Sequence, residues 1–277
     1  MSDIRSSIII TVFSTASGIG KTFIATNLAA ELSRQGYAVC LMDLDLQFGD
    51  ISSYLKLPQW QTLADAQQAY NNNPRDFSAR EFLSEYRYGS YSFSVMQPPL
   101  NLSEAYHIQP DTVVSIIQDL NYFDFIVIDT TAILNELNVA VLDISTIITF
   151  ICTINFIPTI KNLKIGYETL QRFNYDENKI WLIQNRSESD KFIKTSEVEK
   201  ILGKPFLHNI PNDFFSARRS IQNGVPIVFE SEFMQLSQSL QGLADRYTNK
   251  QSVETEDNNN VGLLSKFYNF FSRLRTG

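Results

Sequence analysis

Residues 8–34 read IIITVFSTASGIGKTFIATNLAAELSR: an apolar run, a short glycine-bearing loop, then a stretch with helical periodicity. A strand that turns through glycine-rich backbone into a helix leaves unpaired amides and the positive end of a helix dipole at the turn. Lys21 stands beside them. These features converge on a point that fits a phosphate.

The general pattern for such a loop is GxxxxGK[ST]; here Thr15 occupies the place of its first glycine, while Gly20, Lys21 and Thr22 are intact. In that pattern Lys21 neutralises the β- and γ-phosphates of a nucleotide, and the Thr22 hydroxyl ligates magnesium. A glycine turn followed by a surface Lys-Thr pair would look the same in isolation, so the weight falls on what lies downstream.

Tyr37–Leu46 (YAVCLMDLDL) is a short apolar run ending in Asp43 and Asp45, and Phe123–Thr131 (FDFIVIDTT) is another ending in Asp129. The carboxyl ends of parallel strands form the edge of an α/β sheet where ligands bind. Three carboxylates there, beside a phosphate loop, are placed for magnesium and an attacking water, although any one of them could instead cap the next helix. Further strand-like runs at Tyr91–Met96, Thr146–Cys152, Lys179–Ile183 and Pro205–His208 alternate with helix-like stretches at Asp111–Leu120, Pro158–Phe173, Thr195–Leu202 and Phe214–Asn223. That alternation predicts an α/β fold with a doubly wound, mostly parallel sheet. Gln59–Arg87 reads as a helical excursion with a turn, or as a partner-contacting surface.

With these residues assembled, the chain resembles the MinD/ParA family of P-loop ATPases, and within it the branch typified by the pilus-assembly proteins CpaE and TadZ. The resemblance rests on ASGIGKT (16–22), DLDLQFGDISSYL (43–55), IDTT (128–131), QNR (184–186), IPNDF (210–214) and GVPIV (224–228), in family order from about Ile8 to Tyr247. It implies an ATP-dependent homodimer that uses ATP and Mg2+. Ser17, Gly18, Ile19, Gly20, Lys21, Thr22 and Phe23 would hold the phosphates. Thr22, Asp43 and Asp129 would hold the metal, and Lys21 and Asp45 would serve catalysis, Asp45 by positioning water. Asn185 and Arg186 would lie on one side of the base, with Pro211, Asn212 and Asp213 on the other. An Asn amide offers a donor and an acceptor together, which suits an adenine edge, though Asn also caps turns. Where the family carries a signature lysine this chain has Ala16, followed by Ser17 in place of glycine. Slow hydrolysis is the expectation. No receiver-like domain of the kind the pilus branch carries is expected before the loop.

Composition fits one α/β domain over residues 1–247: the chain has 277 residues, 44% of them hydrophobic. No run reaches the roughly 18 apolar residues that span a bilayer, and no signal-peptide pattern opens the sequence, so a cytoplasmic location is expected. Cys40 and Cys152, each in an apolar run, read as reduced core residues, which argues against the cysteine-ligated clusters of related reductases. His107 and His208 show no ligand spacing.

After Tyr247 the character changes twice. Residues 248–260 carry Glu254, Glu256, Asp257 and Asn258–Asn260 and read as a flexible acidic linker. In residues 261–277, Leu263, Leu264, Phe267, Phe270, Phe271 and Leu274 recur at helical spacing, flanked by Lys266, Arg273 and Arg275. These three cations give the segment +3 within a chain of net −7. An amphipathic helix for anionic lipid is the reading, with docking on the chain's own domain or a partner as the alternative. The expected location is therefore peripheral, on the inner face of the cell membrane, with a protein partner in an envelope or pilus machine. Two other classes stand beside a membrane-cycling ATPase: a non-hydrolysing, ATP-dependent scaffold and a DNA-partitioning ATPase. The acidic balance argues against nucleic acid, although Arg218, Arg219 and Arg246 could form a local patch.

Overall fold

A computed structural model of the chain describes residues 7–188, 193–230 and 234–248. Among these residues, eight strands form one sheet in the order β3-β4-β2-β5-β1-β6-β7-β8. They are β1 (Ile8–Phe13), β2 (Val39–Asp43), β3 (Ser84–Tyr88), β4 (Tyr91–Met96), β5 (Phe125–Asp129), β6 (Ile147–Cys152), β7 (Ile180–Ser187) and β8 (His208–Pro211). All neighbours pair in parallel except β3 with β4.

Parallel sheets must be covered on both faces, and alternate side chains of each strand serve the two layers. Val39 and Leu41 of β2 pack with α1 (Lys21–Arg34), while Cys40 and Met42 face the opposite layer. The α1 layer continues with α2 (Ile51–Leu55), α10 (Ile227–Glu230) and α11 (Gln235–Thr248). The other holds α3 (Leu63–Asn72), α5 (Pro110–Asp119), α6 (Glu136–Ile144), α7 (Ile157–Arg172) and α8 (Thr195–Leu202). The short α4 (Leu102–Tyr106) precedes α5, and α9 (Phe214–Asn223) buries only Ser220 among its ten residues. Both cysteines are buried, on β2 and β6.

Three differences from the sequence reading have physical causes. Part of the 59–87 excursion is strand β3, whose register alternates buried Ser84 and Tyr86 with exposed Glu85 and Arg87. It is an edge strand, and the Glu85–Arg87 ion pair at 2.8 Å puts charge on the edge, a device that discourages further strand pairing but hides the strand signal. β8 begins at His208 rather than Pro205, which has no amide to donate to a ladder. β7 runs on through Gln184–Ser187, where a register shift against β8 marks a bulge.

α11 closes the α1 layer. Gln35, just past the end of α1, donates to Asp245 at 2.8 Å, and Trp181 stacks on Tyr247 with ring centroids 4.7 Å apart. The expected acidic linker beyond Thr248 and amphipathic helix at 261–277 lie outside the described residues. Among the described residues, no helix is long and apolar enough to cross a membrane.

Candidate functional site

β1 ends at the carboxyl edge of the sheet between β5 and β6, and residues 14–20 turn there into α1. Gly18 (φ 69°) and Gly20 (φ 99°) both adopt left-handed backbone, which side chains with a Cβ resist. A Cβ on Gly20 would also stand 2.6 Å from Asn185 Nδ2. Thr15, in the place of the first motif glycine, is accommodated because its methyl faces bare Gly166 on α7, where an added Cβ would come within 2.3 Å. α1 starts with no capping side chain and no acidic residue in its first turn. Its first amides therefore remain available to an anion.

Two side chains from the β7 bulge hold this loop. Asn185 Nδ2 donates to Ile19 O at 2.7 Å, and the Arg186 guanidinium donates to Gly18 O at 2.8 Å. Arg186 itself has left-handed backbone (φ 52°), costly for a side chain of this kind. These two bonds engage the carbonyls of Gly18 and Ile19 and leave the loop amides to other partners. The sequence reading gave these two residues to the base; in the structure the Asn185 amide is engaged at both ends, since its Oδ1 accepts the Arg186 amide at 2.9 Å.

Asp43 and Asp129 end neighbouring strands in direct register. Burial, then the charge of Asp129, raises the pKa of Asp43 well above the carboxylate range. Its two oxygens accept the amides of Asp45 and Ile51, each at 3.1 Å, so Asp43 organises the loop between β2 and α2. Gly49 sits so close that a Cβ there would lie 2.6 Å from Asp43 Oδ2. Burial also pushes Asp129 up to about 7, opposed by the Thr22 hydroxyl and the Lys21 ammonium. Lys21 is in turn lowered by burial, against the attraction of Asp129 and Asp45. Asp129 Oδ1 is buried with no hydrogen-bond partner. An orphaned carboxylate oxygen beside a threonine hydroxyl fits a divalent cation. No group of three or more His, Cys, Asp or Glu side chains among the described residues could hold a metal, so such an ion would complete its shell with water and phosphate.

Asp45 reaches the cleft partly exposed, its Oδ1 accepting the Phe48 amide at 3.3 Å. Pro211, Asn212 and Asp213 line the opposite side; Asp213 caps α9 through the Ser216 amide at 3.0 Å, and Asn212 donates to Glu188 at 2.6 Å. The whole is a cleft of about 990 Å3 to which the phosphate loop and the 43–55, 128–131, 184–186 and 210–214 segments all contribute, while Ile19, Asp43, Asp129 and the 224–228 segment lie outside its lining. Sequence reasoning missed its apolar rim. Phe48, Tyr106, Ile133 and Phe214 line the cleft with 61–74% of their surface exposed, drawn from loops and helix ends that carry no periodic signal.

A family model for the CobQ/CobB/MinD/ParA nucleotide-binding domain matches residues 10–227. The septum site-determining protein MinD of Thermotoga maritima is 24% identical over 282 residues, covering 97% of this chain and 99% of that protein. A ParA-family ATPase from Chlorobium tepidum superposes with a TM-score of 0.77 at 24% identity, covering 86% of this chain and 99% of the other. MinD from Pyrococcus horikoshii, solved with Mg-ADP, gives 0.73 at 22% identity, covering 88% and 96%.

Proposed function

The chain belongs to the CobQ/CobB/MinD/ParA nucleotide-binding family, and from that premise we propose that it is a slow, magnesium-dependent ATPase that pairs with a second copy when ATP is bound and cycles on and off the inner membrane face. The observation that carries the nucleotide reading is the loop of Gly18–Thr22, its carbonyls tied back by Asn185 and Arg186, beside the unpartnered Asp129 oxygen. The Pyrococcus horikoshii MinD structure, which holds Mg-ADP, supports the same occupant. Thr22 and Asp129 would hold magnesium, which neutralises phosphate charge when bound. Lys21 adds a cation to the phosphates, and Asp45, tethered to the Phe48 amide, would orient water. The apolar rim supports pairing at the mouth of the cleft, because exposed apolar patches mark interaction surfaces.

Ala16 brings no charge to the loop and packs against the core, which supports slow turnover. It equally favours a second reading, an ATP-dependent scaffold that does not hydrolyse. The likeness of DLDLQFGD, IPND and GVP to the pilus branch supports an envelope machine, a pilus or secretion apparatus, as the cargo.

The six bulky apolar residues of 261–277 would each contribute roughly 1.5–3 kcal/mol if fully buried in lipid, less the cost of ordering the segment. One copy therefore binds weakly, and a pair gains avidity. Liposome co-sedimentation of the full chain and of a form ending at Asp257 tests the cycle. The full chain is expected to pellet best with ATP on anionic lipid, and the shortened form to stay in solution. Asp45→Ala should pellet with ATP and persist, having lost turnover. Equal sedimentation of both forms, or none under any nucleotide, would remove the membrane reading; ATP turnover measured with liposomes separates ATPase from scaffold.

A further inference from the structure

α1, α2 and α9 all begin at the cleft: at the phosphate loop, at the Asp43-organised loop and at the Asp213 cap. One buried chain of hydrogen bonds joins them. Asn27 Nδ2 donates to Phe23 O at 2.8 Å and to Tyr54 Oη at 3.1 Å. An amide nitrogen only donates, so the Tyr54 oxygen accepts there and its own proton points to Ser220 Oγ, 2.6 Å away. Ser220 in turn donates to Val225 O at 2.6 Å. The order is thus fixed from Asn27 through Tyr54 and Ser220 to the backbone after α9. All three residues are at most 3% exposed, and burial raises the Tyr54 pKa, keeping its proton in place.

Apolar side chains would fill this space at less desolvation cost, so the polar link is not needed for packing alone. Other contacts converge on it. The Tyr54 ring stacks on Phe23, a cleft residue next to Thr22, at 6.2 Å and 7°. Lys56, left-handed at the end of α2 (φ 52°), lies against Gly224 at the end of α9, close enough that a Cβ there would meet it at 2.7 Å. Tyr86 Oη donates to Gly224 O at 3.0 Å.

We propose that Tyr54 is a positioning residue whose hydroxyl couples the Asp43–Ile51 loop to α9, so that filling the phosphate end of the cleft orders the base-side helix and its exposed Phe214, Phe215 and Arg219. The coupling rests on the nucleotide reading given above. Asn27 Oδ1 is buried without a partner, but the other polar side-chain atoms of the chain are bonded, and α2 cannot slide along α1 without breaking the bond to Asn27 or the bond to Ser220.

Hydrogen–deuterium exchange of the full-length protein, with and without Mg-ATP, tests it. In the wild type, ATP is expected to slow exchange in residues 17–26 and in 214–223. Tyr54→Phe leaves Asn27 bonded to Phe23 and Ser220 bonded to Val225, so it should fold, keep protection of 17–26, and lose the ATP-dependent part at 214–223. ATP affinity should weaken by about 3- to 10-fold, the net weight of one or two hydrogen bonds. Ser220→Ala, which preserves the Tyr54–Phe23 stack, should reproduce the pattern, and Ser220→Thr should restore it. A merely structural role would raise exchange at 214–223 equally with and without ATP; that result, or ATP protection of α9 persisting in both Tyr54→Phe and Ser220→Ala, overturns the coupling. A wild type protected at 17–26 but not at 214–223 overturns it too. Absence of protection at 17–26 in the wild type would instead defeat the nucleotide reading on which it stands.

Discussion

Lys21→Ala is expected to weaken ATP binding at least about a hundredfold in titration calorimetry, near 3 kcal/mol, while the protein keeps its circular dichroism. The lysine is the cation of the loop itself, since Ser14–Gly20 carry none. Its ammonium is partly desolvated and held beside Asp129 and Asp45, and a charge in that state interacts strongly with an arriving anion. Removing it also strips the buried carboxylates of their counter-charge, so a polyphosphate would enter a cleft of net negative sign. An affinity unchanged from wild type would show that the glycine turn is a structural loop and would take the ATPase proposal with it.

Asp129→Asn should have an effect of opposite sign on the empty protein. The folded-state pKa near 7 lies above the ordinary carboxylate value of 3.8, chiefly through burial. Between those values the folded chain holds a proton that the unfolded chain has released, so stability from this group is full below about pH 4 and is lost as pH rises through 7. At pH 8 the wild type must keep a buried anion next to Asp43, whereas the asparagine variant does not. Thermal unfolding without magnesium or nucleotide should therefore show the variant more stable at pH 8, on the order of a few kcal/mol or roughly 5 °C, with the gap closing toward pH 5. Added Mg-ATP should reverse the ranking at pH 8, because binding to the folded state stabilises only the wild type. A variant equally or less stable than wild type at both pH values would deny that Asp129 is held under charge stress for a cation.

The phosphate loop was legible because its chemistry is local: Gly18, Gly20, Lys21 and Thr22 lie within five residues of one another, and left-handed backbone has a sequence signature. Strand-end aspartates were legible for the same reason, since an apolar run and its terminal acid are contiguous. Where long-range packing decides, the sequence was silent. Thr15 looked like a defect, and only its pairing with Gly166 on a distant helix shows why it is tolerated. Strand β3 hid behind its own edge charges. Nothing in the spacing of Asn27, Tyr54 and Ser220 announces that they form one chain, because Tyr54 and Ser220 are 166 positions apart. From the sequence, Asn185 and Arg186 were placed beside the base, and their grip on Ile19 and Gly18 is a matter of how β7 bulges.

The stacking of Trp181 on Tyr247 has an optical consequence. The sequence contains two tryptophans, and neither lines the cleft. Trp60 is 58% exposed between α2 and α3, while Trp181 lies under the last turn of α11 with its indole nitrogen donating to Asn178 O at 3.0 Å. Substituting Trp60 would leave a single tryptophan, excitable apart from the tyrosines, packed against the helix that leads into the acidic and amphipathic segments. Its emission would then act as a built-in gauge of whether α11 stays docked when the chain meets lipid, in a channel spectrally separate from a fluorescent nucleotide in the cleft.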